Sequence, residues 1–138
     1  MVENWIVPCS VKFYDVVSHM EQNKTIVLRK VSALREGDVV YLYLGAPYSE
    51  IKYKCHIIND NISEELLKDN PYAIRQVDSQ RKQRYLMLEL DYTYPSGVLT
   101  LSKLREHGLG QTQTQARTDR RLQAFINAVN EELGVSNS

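Results

Sequence analysis

Side chains capable of acid–base or nucleophilic chemistry are spread thinly along this sequence. The three histidines, at positions 19, 56 and 107, lie far apart, and none stands in a triad-like context beside a serine or cysteine. Walker A, GxGxxG and HExxH motifs are all absent from the sequence. Adjacent carboxylates occur only at Glu64–Glu65 and Glu131–Glu132, in segments typical of solvated helices. We therefore predict that the chain is not an enzyme. A catalytic function would need a titratable pair that converges in a pocket, for example Asp15 with His19.

The two cysteines, Cys9 and Cys55, form no CxxC pair and no cluster with histidine. This pattern predicts neither a zinc site nor any other metal or cofactor. Both cysteines lie in apolar runs, which is typical of buried free thiols. The sequence shows no secretory signal and no stretch of ~20 apolar residues, so we expect a cytoplasmic protein without a membrane span.

Tyrosine and charge set further limits. Nine tyrosines stand against two phenylalanines and one tryptophan, and the flat ring and polar tip of tyrosine suit half-exposed pockets as well as cores. Seventeen basic and seventeen acidic residues give a formal net charge of zero. A neutral chain is not expected to hold a long nucleic acid by charge alone. It remains compatible with a module that reads one base in a pocket.

The first third of the chain predicts two strands around a helix. Asn4–Cys9 is short and β-rich, and Val11–Met20 has apolar residues at helical spacing, with Ser10 in position to cap it. Thr25–Leu28 predicts a weak second strand.

The middle of the chain predicts two further strands. Val39–Leu44 alternates with both faces apolar, which indicates a central strand. In the next predicted strand, Ile51–Ile58, one face carries Ile51, Tyr53, Cys55 and Ile57. The other face carries Lys52, Lys54 and His56, towards solvent or a ligand groove.

The last part of the chain combines one long strand with helices. A short helical piece is predicted after Ser63, and Arg84–Tyr94 predicts a strand whose inward face carries Leu86, Leu88, Leu90 and Tyr92. Leu101–His107 predicts a helix between a Thr100 cap and Gly108. The polar run 110–118 predicts a loop, and one apolar stripe predicts a final helix closed by Gly134: Leu122, Phe125, Ile126, Val129 and Leu133. The whole, residues 1–138, is predicted to be a single α+β domain with a curled mixed or antiparallel sheet of about five to six strands, flanked by helices.

Three segments of this sequence carry a resemblance to a known family. NWIVPCS, followed by Tyr14–Asp15, resembles the opening of EVE domains. GDVVYLYLGAPY at 37–48 and IKYKC at 51–55 are similar to the family's central signature. The resemblance implies a PUA-like fold, a curled, barrel-like sheet. It also implies a relation to YTH and SRA domains, which hold one modified or flipped-out base. EVE domains are associated with modification-dependent restriction.

This resemblance implies a base-binding pocket where the first strand meets the first helix and the 43–48 loop. Its expected residues are Trp5, Pro8, Cys9, Ser10, Tyr14, Asp15, Tyr43, Gly45, Pro47 and Tyr48. Trp5 is expected to be either a wall of this pocket or a core anchor. Expected phosphate contacts are Lys52, Lys54, Arg81 and Arg84. Stacking on aromatic rings, worth ~1–3 kcal/mol per base, would offset the cost of flipping.

The expected partners are modified DNA or RNA and a separate nuclease. Many relatives carry a tryptophan after the first helix, where this chain has Thr25–Leu28. Either base stacking is weaker here than in those relatives, or another tyrosine supplies that surface. The alternative is a protein-interaction or small-ligand module on the same fold.

Overall fold

The structure, a computed structural model, describes residues 2–11, 15–63 and 84–136. Six strands and three helices are found there. In chain order they are β1 (Asn4–Cys9), α1 (Val16–Gln22), β2 (Thr25–Arg29), β3 (Val39–Leu44), β4 (Glu50–Ser63), β5 (Arg84–Thr93), α2 (Leu101–Glu106), β6 (Ala116–Arg117) and α3 (Arg120–Leu133).

All six strands belong to one mixed sheet in the order β2-β5-β4-β3-β1-β6. The β1 and β3 strands run parallel, and every other neighbouring pair is antiparallel. The predicted fold class, α+β with a mixed sheet and flanking helices, is confirmed. The central position of Val39–Leu44 is confirmed as well, since β3 lies between β4 and β1.

The sheet curls until its two edges meet at Gln115. This residue directly precedes β6, one edge of the sheet, and its side chain reaches the end of β2, the other edge. Its Nε2 donates to the Arg29 carbonyl (2.7 Å), and its Oε1 accepts from the Val31 amide (3.2 Å). The Ser32 hydroxyl donates to the Gln115 carbonyl at 3.5 Å. Because these bonds join the two edges, neither edge is open at this point to pairing with a strand of another chain.

The alternation of side chains along the strands divides the core between the two faces of the curl. The inner face carries Val40, Leu42 and Leu44 of β3, and the first helix packs Val16 and Met20 into this cluster. The outer face carries Val39, Tyr41 and Tyr43, covered by α2 and α3. This is the division that the period of two in β3 predicts.

The last helix follows its predicted pattern. Leu122 and Ile126 are fully buried against the outer face, and Phe125, Val129 and Leu133 pack beside them. Asp119 caps the helix by accepting from the Leu122 amide (2.8 Å), and Gly134 ends it in the left-handed conformation at φ 72°.

Two β-bulges change the facing of residues beside them. Leu42 pairs with Tyr53 but Tyr43 pairs with Ile51, so Lys52 is an extra residue in β4. Ile51 therefore joins the outer cluster, and the prediction that it shares a face with Tyr53 is wrong.

The second bulge lies in β5. Lys54 pairs with Tyr92 and Cys55 with Leu90, which leaves Asp91 extra. Tyr92 consequently packs against the outer cluster, whereas Leu90 packs against the inner one. The predicted inward face of this strand is thus wrong at Tyr92.

Three differences from the predicted elements are larger than a shift of one or two residues at an end. The first helix begins at Val16 with Asp15 as its cap, so the predicted start at Val11 and the Ser10 cap are wrong. The β4 strand continues to Ser63, beyond the predicted end at Ile58. The short strand β6 was not predicted.

The predicted helical piece after residue 63 lies outside the described residues. Within the described ranges, no helix combines the length and the apolar character needed to cross a bilayer.

Candidate functional site

A cleft of about 470 Å³ opens at the end of the barrel where the parallel strands β1 and β3 finish. Its volume falls within the ~300–1,000 Å³ usual for ligand sites, which favour the mouths of β-barrels. Five of the predicted pocket residues meet here with three others. The lining consists of Pro8, Cys9, Ser10, Tyr43, Gly45, Ala46, Thr112 and Gln113.

Parallel pairing brings the first two walls together. Pro8 lies opposite Tyr43, and Cys9 lies opposite Leu44. The Gly45 amide then donates to the Cys9 carbonyl at 3.3 Å, which prolongs the ladder by one bond. Both strands therefore leave the sheet at the same level. The residues that follow them, Ser10 after β1 and the 45–48 turn after β3, flank the opening.

The third wall comes from a segment at 111–115, here called the strap. The side chain of Gln111 accepts from the amides of Gln113 (2.7 Å) and Thr114 (3.1 Å) and donates to the Thr114 hydroxyl (2.9 Å). Gln115, at the other end, makes the hydrogen bonds to Arg29, the last residue of β2, and to Val31; these bonds are here called the seam. The two glutamines thus hold Thr112 and Gln113 over the cleft. Sequence reasoning missed these two wall residues, and the only local signal was the alternating run QTQTQ.

The cleft is uncharged. Ser10, Thr112 and Tyr43 contribute hydroxyl-bearing side chains, Gln113 contributes an amide, and no lining residue is ionic. Burial raises the pKa of the Cys9 thiol to about 12. Because the thiolate is the reactive form, this burial disfavours Cys9 as a nucleophile near neutral pH. The site therefore offers neutral donors and acceptors around a partly apolar space.

The predicted pocket residue Trp5 lies in the inner core instead. Its side chain is 4% exposed, and its Nε1 donates to Asp38 Oδ2 at 3.0 Å. The Arg117 guanidinium lies 5.0 Å from the ring centroid, a cation–π distance. Of the two alternatives for Trp5, the structure shows the core anchor, and Trp5 does not line this cleft.

Three other predicted pocket residues lie outside the lining. Asp15 caps α1, where its carboxylate accepts from the Ser18 amide (3.0 Å) and hydroxyl (2.8 Å), and these bonds lower its pKa. Pro47 follows a cis peptide bond in the exposed 45–48 turn, and Tyr48 in the same turn is 41% exposed. Tyr14 falls outside the described residues.

None of the expected phosphate contacts in the described part of the chain lines this cleft. Lys52 Nζ donates to the Ser96 hydroxyl at 3.2 Å, and Arg84 is exposed at the start of β5. Lys54 is only 2% exposed and lines a different cavity, so it is not placed to contact a phosphate at this cleft. Arg81 lies outside the described residues.

The pair considered for catalysis is engaged elsewhere. Asp15 bonds to Ser18, and His19 Nε2 lies 2.7 Å from the Thr25 carbonyl. Among residues 2–11, 15–63 and 84–136, no three His, Cys, Asp or Glu side chains are grouped in a way that could hold a metal ion.

Comparisons with known proteins show what this fold is similar to. No protein-family model matches the chain, and no curated protein matches it. A point variant of an ASCH protein from Zymomonas mobilis superposes with a TM-score of 0.64 at 10% identity, covering 92% of this chain and 96% of that one.

Two further solved structures give the same result. A hypothetical protein from Leishmania major has a TM-score of 0.64 at 14% identity, with 97% and 98% coverage. A protein from Rhodopseudomonas palustris has a TM-score of 0.62 at 14% identity, with 96% and 95% coverage. At such identities the likeness shows that the chain shares the fold of these structures, and it shows nothing beyond the fold.

Proposed function

We propose that this chain is a non-catalytic PUA-like module that binds nucleic acid by accepting a single nucleobase in the cleft beside the strap. The observation that carries the proposal is the uncharged lining of hydroxyl and amide groups at the end of the barrel. A nucleobase is itself a neutral ring with donors and acceptors along its edge, so it matches such a lining.

The chemistry of the cleft favours a base over other parts of a nucleic acid. A phosphate would need cations or a nest of amides, and no lining residue is basic. Tyr43 and Pro8 supply flat or apolar surface, while Ser10, Thr112 and Gln113 supply hydrogen bonds. The PUA-like superfamily is an RNA-binding fold, which favours RNA as the ligand.

The finer parts of the proposal rest on the sequence. The segments 37–48 and 51–55 support an EVE-type module, and with it recognition of a modified base. Since the chain has a net charge of zero, we expect a separate partner, such as a nuclease, to supply most of the phosphate affinity.

The absence of catalysis is likewise part of the proposal. It is supported by the raised pKa of Cys9 and by the uncharged lining, which together provide neither a nucleophile nor a general base in the cleft.

The test is a binding panel of RNA and DNA oligonucleotides, each with unmodified and modified bases, measured by fluorescence anisotropy. We expect at least one oligonucleotide to bind with a micromolar dissociation constant. Gly45→Gln places a side chain at the cleft, where a Cβ meets no atom within 4 Å. It should weaken binding about tenfold or more, the scale of one lost stacking or edge contact.

Gly110→Gln is the matched control, because position 110 is equally open and lies outside the cleft. Its affinity should equal that of the parent chain. No micromolar binding across the panel, or equal loss in both variants, would contradict a base site here. Oligonucleotide cleavage that Gly45→Gln abolishes would contradict the non-catalytic part.

A further inference from the structure

A second cavity, of about 460 Å³, lies at the opposite end of the parallel strands from the cleft. It is enclosed by the start of β3, the outer face of β4, the bulge in β5 and the chain just after α3. The lining residues that matter are Val39, Lys54, His56, Asp91, Tyr92 and Val135.

Lys54 is the unusual member of this cavity. Lys54 is only 2% exposed, and it lies beneath the end of α3. Among the described residues it has neither a hydrogen-bond acceptor nor an ion-pair partner. Lys54 Nζ is not one of the buried polar atoms that lack a partner, so the ammonium keeps contact with the cavity and can meet a ligand there.

The nearest acidic side chain of the lining is already engaged. His56 Nδ1 lies 2.9 and 3.0 Å from the two oxygens of Asp91. Nε2 of the same ring faces Glu89 Oε1 at 3.8 Å. The β5 bulge that leaves Asp91 unpaired in the ladder thus directs its charge to His56 and not to Lys54.

We propose that this cavity binds a small organic monoanion of the carboxylate class with an apolar body. Lys54 pairs with the carboxylate, and the apolar body packs against Val39, Tyr92 and Val135. A single cation matches a single negative charge. Asp91, Glu89 and the negative end of the α3 dipole repel any anion in proportion to its charge, so they disfavour a carboxylate monoanion less than a multivalent anion such as phosphate.

The site goes beyond the proposed base recognition and does not depend on it. The two cavities share no lining residue. Gly45→Gln, which obstructs the cleft, should leave carboxylate binding unchanged.

The experiment titrates the full chain with sodium benzoate, with neutral benzamide of the same shape, and with inorganic phosphate, followed by amide NMR shifts. We expect benzoate to move the signals of Val39, Tyr92 and Val135 saturably, with a dissociation constant of about 1 mM or tighter. Benzamide and phosphate should each bind at least about tenfold more weakly, because they lose the charge-assisted bond or add repulsion.

Lys54→Met keeps the buried stem and removes the charge, and it should weaken benzoate at least about tenfold. Lys52→Met, two residues away and bonded to Ser96, is the matched control and should bind like the parent. Benzoate and benzamide binding equally, no saturable shift with benzoate, or equal affinity of Lys54→Met and the parent would each overturn the proposal. The benzoate–benzamide comparison needs only the parent chain, so the test stands even if a variant fails to fold.

Discussion

Replacing Asp38 tests how far one buried carboxylate holds the start of the barrel together. Asp38 is 4% exposed and accepts three hydrogen bonds. Its Oδ1 accepts from the Glu3 amide at 3.1 Å, and its Oδ2 accepts from the Trp5 indole and the Arg35 amide, each at 3.0 Å. The residue thus links β1, β3 and the turn before β3, and its carboxylate accepts the hydrogen bond of the Trp5 indole N–H in the inner core.

The expected loss follows from these three bonds. A hydrogen bond to a charged group contributes about 1.5–3 kcal/mol, and the value falls as the site becomes more exposed. The Trp5 bond is buried and the other two are partly buried. Asp38→Ala should therefore lower the free energy of unfolding by about 3–5 kcal/mol, a large part of the ~5–15 kcal/mol typical of a domain. Asp38→Asn should cost about 1.5–3 kcal/mol, because its NH₂ group must face at least one of the N–H donors.

Urea unfolding measures both losses, with the fluorescence of the single tryptophan, Trp5, as the signal. The control is Asp60→Ala, since Asp60 accepts one bond from the Glu36 amide (2.8 Å) in an exposed position. That variant should lose less than about 1 kcal/mol. Equal losses in Asp38→Ala and Asp60→Ala would refute the assignment of Asp38 as the link between these elements.

Three further outcomes are expected. Gln115→Ala should speed hydrogen exchange of the Val31 amide, because it removes the acceptor at the barrel seam. Burial raises the pKa of Cys9 from 9.0 to about 12, so its contribution to stability is complete below about pH 9 and is lost as pH rises towards 12. Cys9→Ala should therefore flatten the alkaline fall in urea stability, by up to about 1.4 kcal/mol per pH unit. Tyr94→Phe, which removes the buried hydroxyl bonded to Asn130, should lower the free energy of unfolding by about 1–2 kcal/mol.

Two of these predictions have a control variant, and the third is checked against the parent chain. Gln113→Ala, in the same strap but without a seam bond, should leave the Val31 exchange rate unchanged. Parallel alkaline slopes for Cys9→Ala and the parent would contradict the burial argument. Tyr48→Phe, at a 41% exposed side chain, should be close to neutral, and a loss equal to that of Tyr94→Phe would contradict the role of the buried bond.

The elements that could be predicted from the sequence are those in which buried and exposed side chains alternate in a regular pattern. The alternation in β3 gave both of its faces correctly, and the stripe from Leu122 to Leu133 gave α3, because each pattern repeats with the period of its backbone. The bulges at Lys52 and Asp91 carry no such signal, since they depend on how two strands pair. The predicted facing failed beside them for that reason.

The strand β6 and the strap walls escaped prediction on similar grounds. Ala116–Arg117 is a strand because it pairs with Trp5 and Ile6, more than a hundred residues earlier. Trp5 is a core anchor because Asp38 receives its indole N–H, which residue type alone does not reveal. Five cleft residues, by contrast, were predicted from the resemblance of two segments, 4–15 and 37–48, which are separate in the sequence but meet where β1 and β3 end.

The Gln115 seam makes ligand binding in the cleft depend on the closure of the barrel. The strap that supplies Thr112 and Gln113 to the cleft is fastened to β2 by the next residue but one. A molecule held in the cleft gains its strap contacts only while that fastening is closed, so binding and closure are linked equilibria. At a free ligand concentration of 100 times the dissociation constant, the closed form gains about 2.7 kcal/mol. The amide of Val31, two residues after the end of β2 and outside the cleft, should thus report remotely on occupancy of the cleft.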